Sequence, residues 1–207
     1  MVIDSPEKLY EYVSLRISQR RLGHCMRVKA CIERIIGQYG EGGSIMRHGS
    51  LDAPCFLGLM HDSSREDSFE SVLETCRKAG FELNSYELAN PVLNHGYVAS
   101  YKASLYCPDV PISWCKAIEC HTLGSMDMGY LGAALYCADY LEEGRPFLTQ
   151  DQRASFFREA QDLHQLFEKV FYARLEHSRS KYNTASPNQL AIEAALARGE
   201  RLWPVQG

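Results

Sequence analysis

The 207-residue chain has no uninterrupted apolar run near the roughly 18 residues that a membrane-crossing helix needs. Its opening, MVIDSPEKLYEYV, shows neither a charged region leading into an apolar stretch nor a cleavage site, which predicts a cytoplasmic protein with no membrane partner. Runs of basic residues are also missing. Lys and Arg total 22 against 26 Asp and Glu, giving a net charge of -4. Without a basic footprint, no nucleic-acid polymer is expected as a partner. Small phosphorylated ligands stay within reach, because a metal ion or a few arginines can hold phosphate without a basic surface.

Catalytic and metal motifs are scarce too. Eight cysteines are present, at positions 25, 31, 55, 76, 107, 115, 120 and 137, but no two form C-x-x-C. Zinc-finger and thioredoxin-like readings therefore lose their spacing, and the thiols are expected to be reduced, small and buried. No G-x-S-x-G elbow or Cys-His signature supplies a protein nucleophile, and no G-x-x-x-x-G-K-[ST] loop supports a nucleotide-driven motor.

Strand signals are few, whereas helix boundaries recur. Ser5 and Pro6 open a helix with Leu9, Tyr12, Val13 and Ile17 on its apolar face. A second helix carries Leu22, Cys25, Val28, Ile32, Ile35 and Ile36 and ends near Gly40, after which residues 40–53 read as an irregular loop. Helix resumes after Asp52, and again in DSFESVLETCRKAG, with Gly80 closing it. Further helices are predicted over residues 91–106, 111–122 and 127–142. Thr149 and Gln152 form a capping-box pattern expected to open one long helix reaching residue 180, and SPNQLAIEAALARG closes the chain with a short helix. The pattern predicts an all-α fold with no repeats.

Within these helices, polar groups sit where apolar ones would be expected. GLMHDSSRED runs an apolar segment directly into His61 and Asp62, and LGAALYCADYLEEGRPF places Asp139 among Leu131, Leu135, Ala138 and Leu141. A carboxylate in such surroundings is costly unless paired or coordinated. Seven histidines are available, and five lie on or at the ends of predicted helices: His24, His61, His95, His121 and His164. Imidazole nitrogen and carboxylate oxygen together form a donor set that first-row divalent ions accept.

His24, the pair His61-Asp62, His95, His121 and Asp139 follow the order H…HD…H…H…D, which resembles the HD-domain metal-dependent phosphohydrolases. Within that superfamily, RRLGHCMRV, GLMHDSSR, LNHGYVA and CHTLGSMDMGYLGAALYCADYLEEGRPF are similar to the YqeK family of symmetrical bis(5'-nucleosyl)-tetraphosphatases, over roughly residues 8–185. The resemblance implies an HD-domain helical bundle over residues 1–185, with residues 186–207 as a helical extension packed on or beside it. It also implies two metals. His24, His61, Asp62 and Asp139 would hold one; Asp62, His95 and His121 would hold the other, with Asp62 bridging. Iron is the favoured ion, with manganese, cobalt, nickel and magnesium as alternatives.

Two such metals could share a hydroxide and neutralise charge on a phosphoryl oxygen. The implied reaction is symmetrical hydrolysis of diadenosine tetraphosphate to two ADP, with His61 and Asp62 at the catalytic centre. Arg65 and Arg145 are the candidate phosphate contacts, and Arg21, three residues before His24, could face the same cleft. Arg65 follows Ser63-Ser64 where the family usually has apolar residues and a lysine, and Glu142-Glu143 stands where it often has glutamate-proline. The expected partner is a small dinucleoside polyphosphate or nucleotide, and a homodimer is compatible with the sequence. Three other readings compete: hydrolysis of nucleoside monophosphates or other small phosphate esters, oxygen chemistry on a di-iron pair, and nucleotide sensing without turnover. His48, His164 and His177 fall outside the expected site.

Overall fold

The computed structural model describes residues 2–203. Helices run α1 (Pro6–Ser14), α2 (Gln19–Tyr39), α3 (Ala53–Met60), α4 (Phe69–Ala79), α5 (Ser85–Ala89), α6 (His95–Tyr106), α7 (Ile112–Cys120), α8 (Gly129–Leu141), α9 (Gln150–Glu159), α10 (Leu163–Tyr182) and α11 (Pro187–Ala197). Among the described residues, β structure is confined to a hairpin pairing Arg47–His48 with Leu51–Asp52 inside the expected loop. The fold is all-α, as the sequence predicts.

Helix starts follow local chemistry. Ser5, Ser18, Asp52, Ser68, Asp162 and Ser186 each accept a hydrogen bond from a backbone N–H of the first turn, satisfying donors that the helix itself cannot. Every residue of α3 is buried. This short helix runs through the middle of the bundle, against α1, α2, α6, α7 and α8. Two glycines set the closest approaches. A β-carbon on Gly58 would stand 2.6 Å from Cα of Lys29, and one on Gly96 would stand 2.9 Å from the Ile118 and Glu119 carbonyl oxygens. These contacts press α3 onto α2 and α6 onto α7, so His61 approaches His24 and His95 approaches His121.

The single helix expected from Thr149 to residue 180 is two helices. Ala160 is extended (φ -92°, ψ 127°), and Asp162 caps a new start by accepting from the Gln165 N–H. The Gln165 side chain also accepts from the backbone N–H of Gln161, so the interruption is satisfied rather than frayed. The break lets Phe157 and Phe167 both reach the core. Likewise, the helix expected from residue 91 begins as a 3-10 turn over Pro91–Asn94 and becomes α-helical only at His95. A one-turn helix before it, α5, has a full capping box between Asn84 and Glu87.

The final segment is joined to the bundle. Ile192 and Leu196 enter the main core, and Trp203 packs edge-on against Phe167. Seven of the eight thiols are buried, all eight are unpaired, and burial pushes Cys31 and Cys120 up to about 12. No helix among the described residues is long and apolar enough to cross a membrane.

Candidate metal centre

Four imidazoles converge from four helices, three of them at helix ends. His61 is the C-cap of α3, His95 the first residue of α6, His121 the C-cap of α7, and His24 lies in the second turn of α2. At a helix end the backbone carbonyls of the last turn are near enough to take the ring. His61 Nδ1 donates to the Gly58 carbonyl (3.0 Å), His95 Nδ1 to Val92 (2.9 Å) and His121 Nδ1 to Ile118 (2.7 Å). His24 Nδ1 donates to the Glu142 carboxylate at 3.1 Å. Each acceptor lacks a proton to give, so Nδ1 carries the hydrogen, and in the neutral ring Nε2 turns a lone pair inward. Ligating histidines are held in this way.

Asp62 stands between them. Its Oδ2 is 3.5 Å from His24 Nε2 and 3.7 Å from His61 Nε2, while its Oδ1 is 2.9 Å from His95 Nε2 and 3.9 Å from His121 Nε2. The result is two buried three-residue groups able to hold a metal ion, His24-His61-Asp62 and Asp62-His95-His121, sharing the one carboxylate. Two observations argue that cations belong here. His61 is fully buried and its Nε2 has no hydrogen-bond partner. His95 and His121 bring Nε2 atoms to 3.0 Å, lone pair against lone pair, which is repulsive unless a cation intervenes.

Electrostatics match that donor set. Burial, reinforced by neighbouring imidazoles, holds His121 well below the usual histidine range, and burial also lowers His61 despite the opposing charge of Asp62. Burial would raise Asp62, but His61 and His95 outweigh it and keep the carboxylate ionised. Asp139 is likewise held down against burial by Arg145 and His24. His24 goes the other way. Burial lowers it, but Asp139 and Glu142 dominate and raise it.

The remaining sequence-named residues fall around this core. Asp139 Oδ1 lies 3.2 Å from His24 Nε2, but the same oxygen accepts from Arg145, and Oδ2 accepts from Arg174 at 3.4 Å. Asp139 is therefore adjacent to the first group yet occupied by guanidinium. Arg145 is correspondingly a partner of Asp139 and Glu142 that also reaches the cleft wall. Arg21 donates to Asp62 Oδ2 at 2.9 Å, and Arg65 lines the cleft.

Three contributors escaped sequence reading. Glu142 is 2% exposed and accepts from His24, from Arg27 Nε at 2.5 Å and from the Gly144 N–H at 2.6 Å. Burial opposes its ionisation, but His24 and Arg27 hold its carboxyl down at about 2. Arg174 donates to the Tyr136 and Thr122 carbonyls at 3.0 and 2.9 Å as well as to Asp139. His177, expected outside the site, lines the cleft, whereas His164 lies far down α10 against Trp203. The doubled Glu142-Glu143 was the visible trace of the first; nothing local distinguishes the other two.

Asp62, His95 and His121 of these groups, with Asp139, line a cavity of about 590 Å³. Arg21, Arg65, Arg145, Arg174 and Lys181 reach its walls, along with Tyr140, Phe147 and Leu123. Such a volume is in the usual range for a small-molecule site, and the wall chemistry suits an anion carrying a ring system.

A crystal structure described as a predicted HD superfamily hydrolase involved in NAD metabolism, from Clostridium acetobutylicum, superposes with a TM-score of 0.81, covering 95% of this chain and 98% of that one at 24% identity. The fold is the all-α HD-domain fold. No protein-family model matches the sequence, and neither does any curated protein compared with it.

Proposed function

We propose that this protein is a metal-dependent phosphoanhydride hydrolase that cleaves diadenosine tetraphosphate symmetrically into two ADP. The observation carrying this reading is the single carboxylate of Asp62 shared between two buried groups, one with an Nε2 on His61 that has no hydrogen-bond partner, the other with the Nε2 atoms of His95 and His121 3.0 Å apart. His24, His61 and Asp62 would hold one ion and Asp62, His95 and His121 the other, with Asp139 next to the first. Divalent ions there, for which iron is the proposed choice, would supply Lewis acidity and an activated water at neutral pH.

The chain's own residues do the rest. Glu142 orients His24, and backbone carbonyls orient the other three rings. Arg65, which lines the cleft and has no carboxylate within ion-pair distance among the described residues, is the proposed contact to a phosphate oxygen. Arg21 and Arg145 add positive charge beside the reacting phosphorus while holding Asp62 and Asp139 ionised. Water oxygen adds to one central phosphorus, the bond to the bridging oxygen breaks, and ADP leaves from each half.

Metal analysis of protein purified without added metal, followed by chromatography of the products from diadenosine tetraphosphate, tests this. ADP as the sole nucleotide product supports it; AMP with ATP refutes it.

A further inference from the structure

One helix extends the cleft beyond the metal groups. Arg174, His177, Ser178, Lys181 and Tyr182 of α10 all line it, and their spacing of i, i+3, i+4, i+7 and i+8 puts them on one helical face. The stripe starts at the centre, where Arg174 donates to Asp139, and at 1.5 Å per residue Lys181 lies about 10 Å further along the axis. Gln189 of α11 donates to Ser178 Oγ at 3.1 Å and also lines the cleft, so the C-terminal segment fixes this wall.

The charges on the two faces of α10 are treated differently. Arg179, on the outer side, is bidentate with Glu193 at 3.0 and 2.7 Å. Lys181 packs its ammonium over the Tyr182 ring, and among the described residues neither it nor His177 has a carboxylate within ion-pair distance. Basic residues near a helix C-terminus are favoured by the helix dipole alone. That preference accounts for Lys181 being basic, but not for an unpaired ammonium and imidazole facing the same cleft as the metal groups.

We propose that this stripe, through His177 and Lys181, is the subsite for the second phosphate and ribose of the departing nucleotide, and that it selects substrates by the length of their phosphate chain. A phosphate monoester ends at the metal groups. Only a leaving group carrying a further phosphate and a nucleoside extends along α10. The inference rests on the dinucleoside polyphosphate reading above and deepens it.

The test compares metal-loaded full-length protein with the His177→Ala/Lys181→Ala double variant on two substrates, diadenosine tetraphosphate and bis(p-nitrophenyl) phosphate. Both side chains are exposed near a helix end, so the fold is expected to persist, with circular dichroism and metal content as checks. The ratio of kcat/KM for the tetraphosphate to that for the small diester should fall about tenfold, through KM, as expected for losing an exposed ammonium contact and an exposed imidazole hydrogen bond. Lys181→Arg should retain the wild-type ratio. An unchanged ratio, or an equal loss on both substrates, overturns the proposal. If the wild-type protein does not cleave the tetraphosphate, the function reading fails separately, and binding decides the stripe. The double variant should then lose about tenfold in affinity for ADP relative to inorganic phosphate; parallel changes overturn it.

Discussion

The two halves of the candidate metal centre share Asp62 but are built differently. In the first, His24 lies among three carboxylates, with Asp62, Asp139 and Glu142 all within 3.5 Å of its ring nitrogens, and Arg21, Arg27 and Arg145 pair with those carboxylates. In the second, His95 and His121 are held by backbone carbonyls, and Asp62 is the only carboxylate within ion-pair distance of them among the described residues. The first half is a charged network in which Asp62, Asp139 and Arg145 line the cleft; the second, whose two histidines both line the cleft, is held by fixed dipoles at two helix ends. Both arrangements offer imidazole nitrogen and ionised oxygen to a cation, but in the first the carboxylates around His24 raise its affinity for a competing proton.

The largest effect should come from removing what the halves share. Asp62→Ala is expected to lose both ions and to bring hydrolysis to background, read by elemental analysis and product assay; retention of either ion at wild-type level would separate that half from Asp62. Next, His24→Ala and His121→Ala should each reduce bound metal from two equivalents to one while leaving the opposite half loaded. Identical losses of both ions in the two variants would show that the halves fill as one unit.

Glu142→Gln removes the carboxylate behind His24 while keeping its shape. Losing an outer partner of this type typically costs roughly 10- to 100-fold in metal affinity or activity. The loss should fall on one equivalent of metal, with the second ion's affinity unchanged in a chelator competition.

Acid should sharpen the same asymmetry more gently. His24 is raised, so on lowering the pH it takes a proton before His121, which is held far down, and the first half should release its ion at the higher pH. Metal titrations at pH 7 and 5.5 would detect this order. Independently, Glu142 is depressed to about 2, so its ionisation stabilises the metal-free fold above the ordinary glutamate range near 4.5, and that contribution disappears as pH falls toward 2. Urea melts of metal-free protein should therefore weaken across that window, and Glu142→Gln should flatten the dependence.

Much of the fold was legible because helix boundaries are local. Ser5 with Pro6, Thr149 with Gln152, and the opening of SPNQLAIEAALARG announce helix starts from residues no more than three apart, and Ser5, Thr149 and Ser186 all cap their helices. The interruption at Ala160 was not legible. Its cap residue, Asp162, looks like any exposed acid until α10 is seen to turn onto α8. The order of His24, His61-Asp62, His95, His121 and Asp139 named side chains that converge because it resembles that of the HD-domain phosphohydrolases; only the His61-Asp62 pair and Asp139 also carried a visible desolvation cost. Arg174 and His177 bear no such mark. A cation on a helix is ordinary in sequence and becomes informative only when the opposite wall is known.

The sequence by itself therefore determined an all-α chain with interrupted apolar faces and a short set of polar residues that needed partners. Capping, periodicity and desolvation act within a few residues and leave a local record. Tertiary structure alone decided that Asp62 faces four imidazoles at once, that Asp139 is held by Arg145 and Arg174, and that one face of α10 extends the cleft. Those facts depend on close approaches between remote segments, such as Gly58 against Lys29 and Gly96 against the end of α7, where a single methyl group would not fit. Packing at that distance is set by both surfaces together.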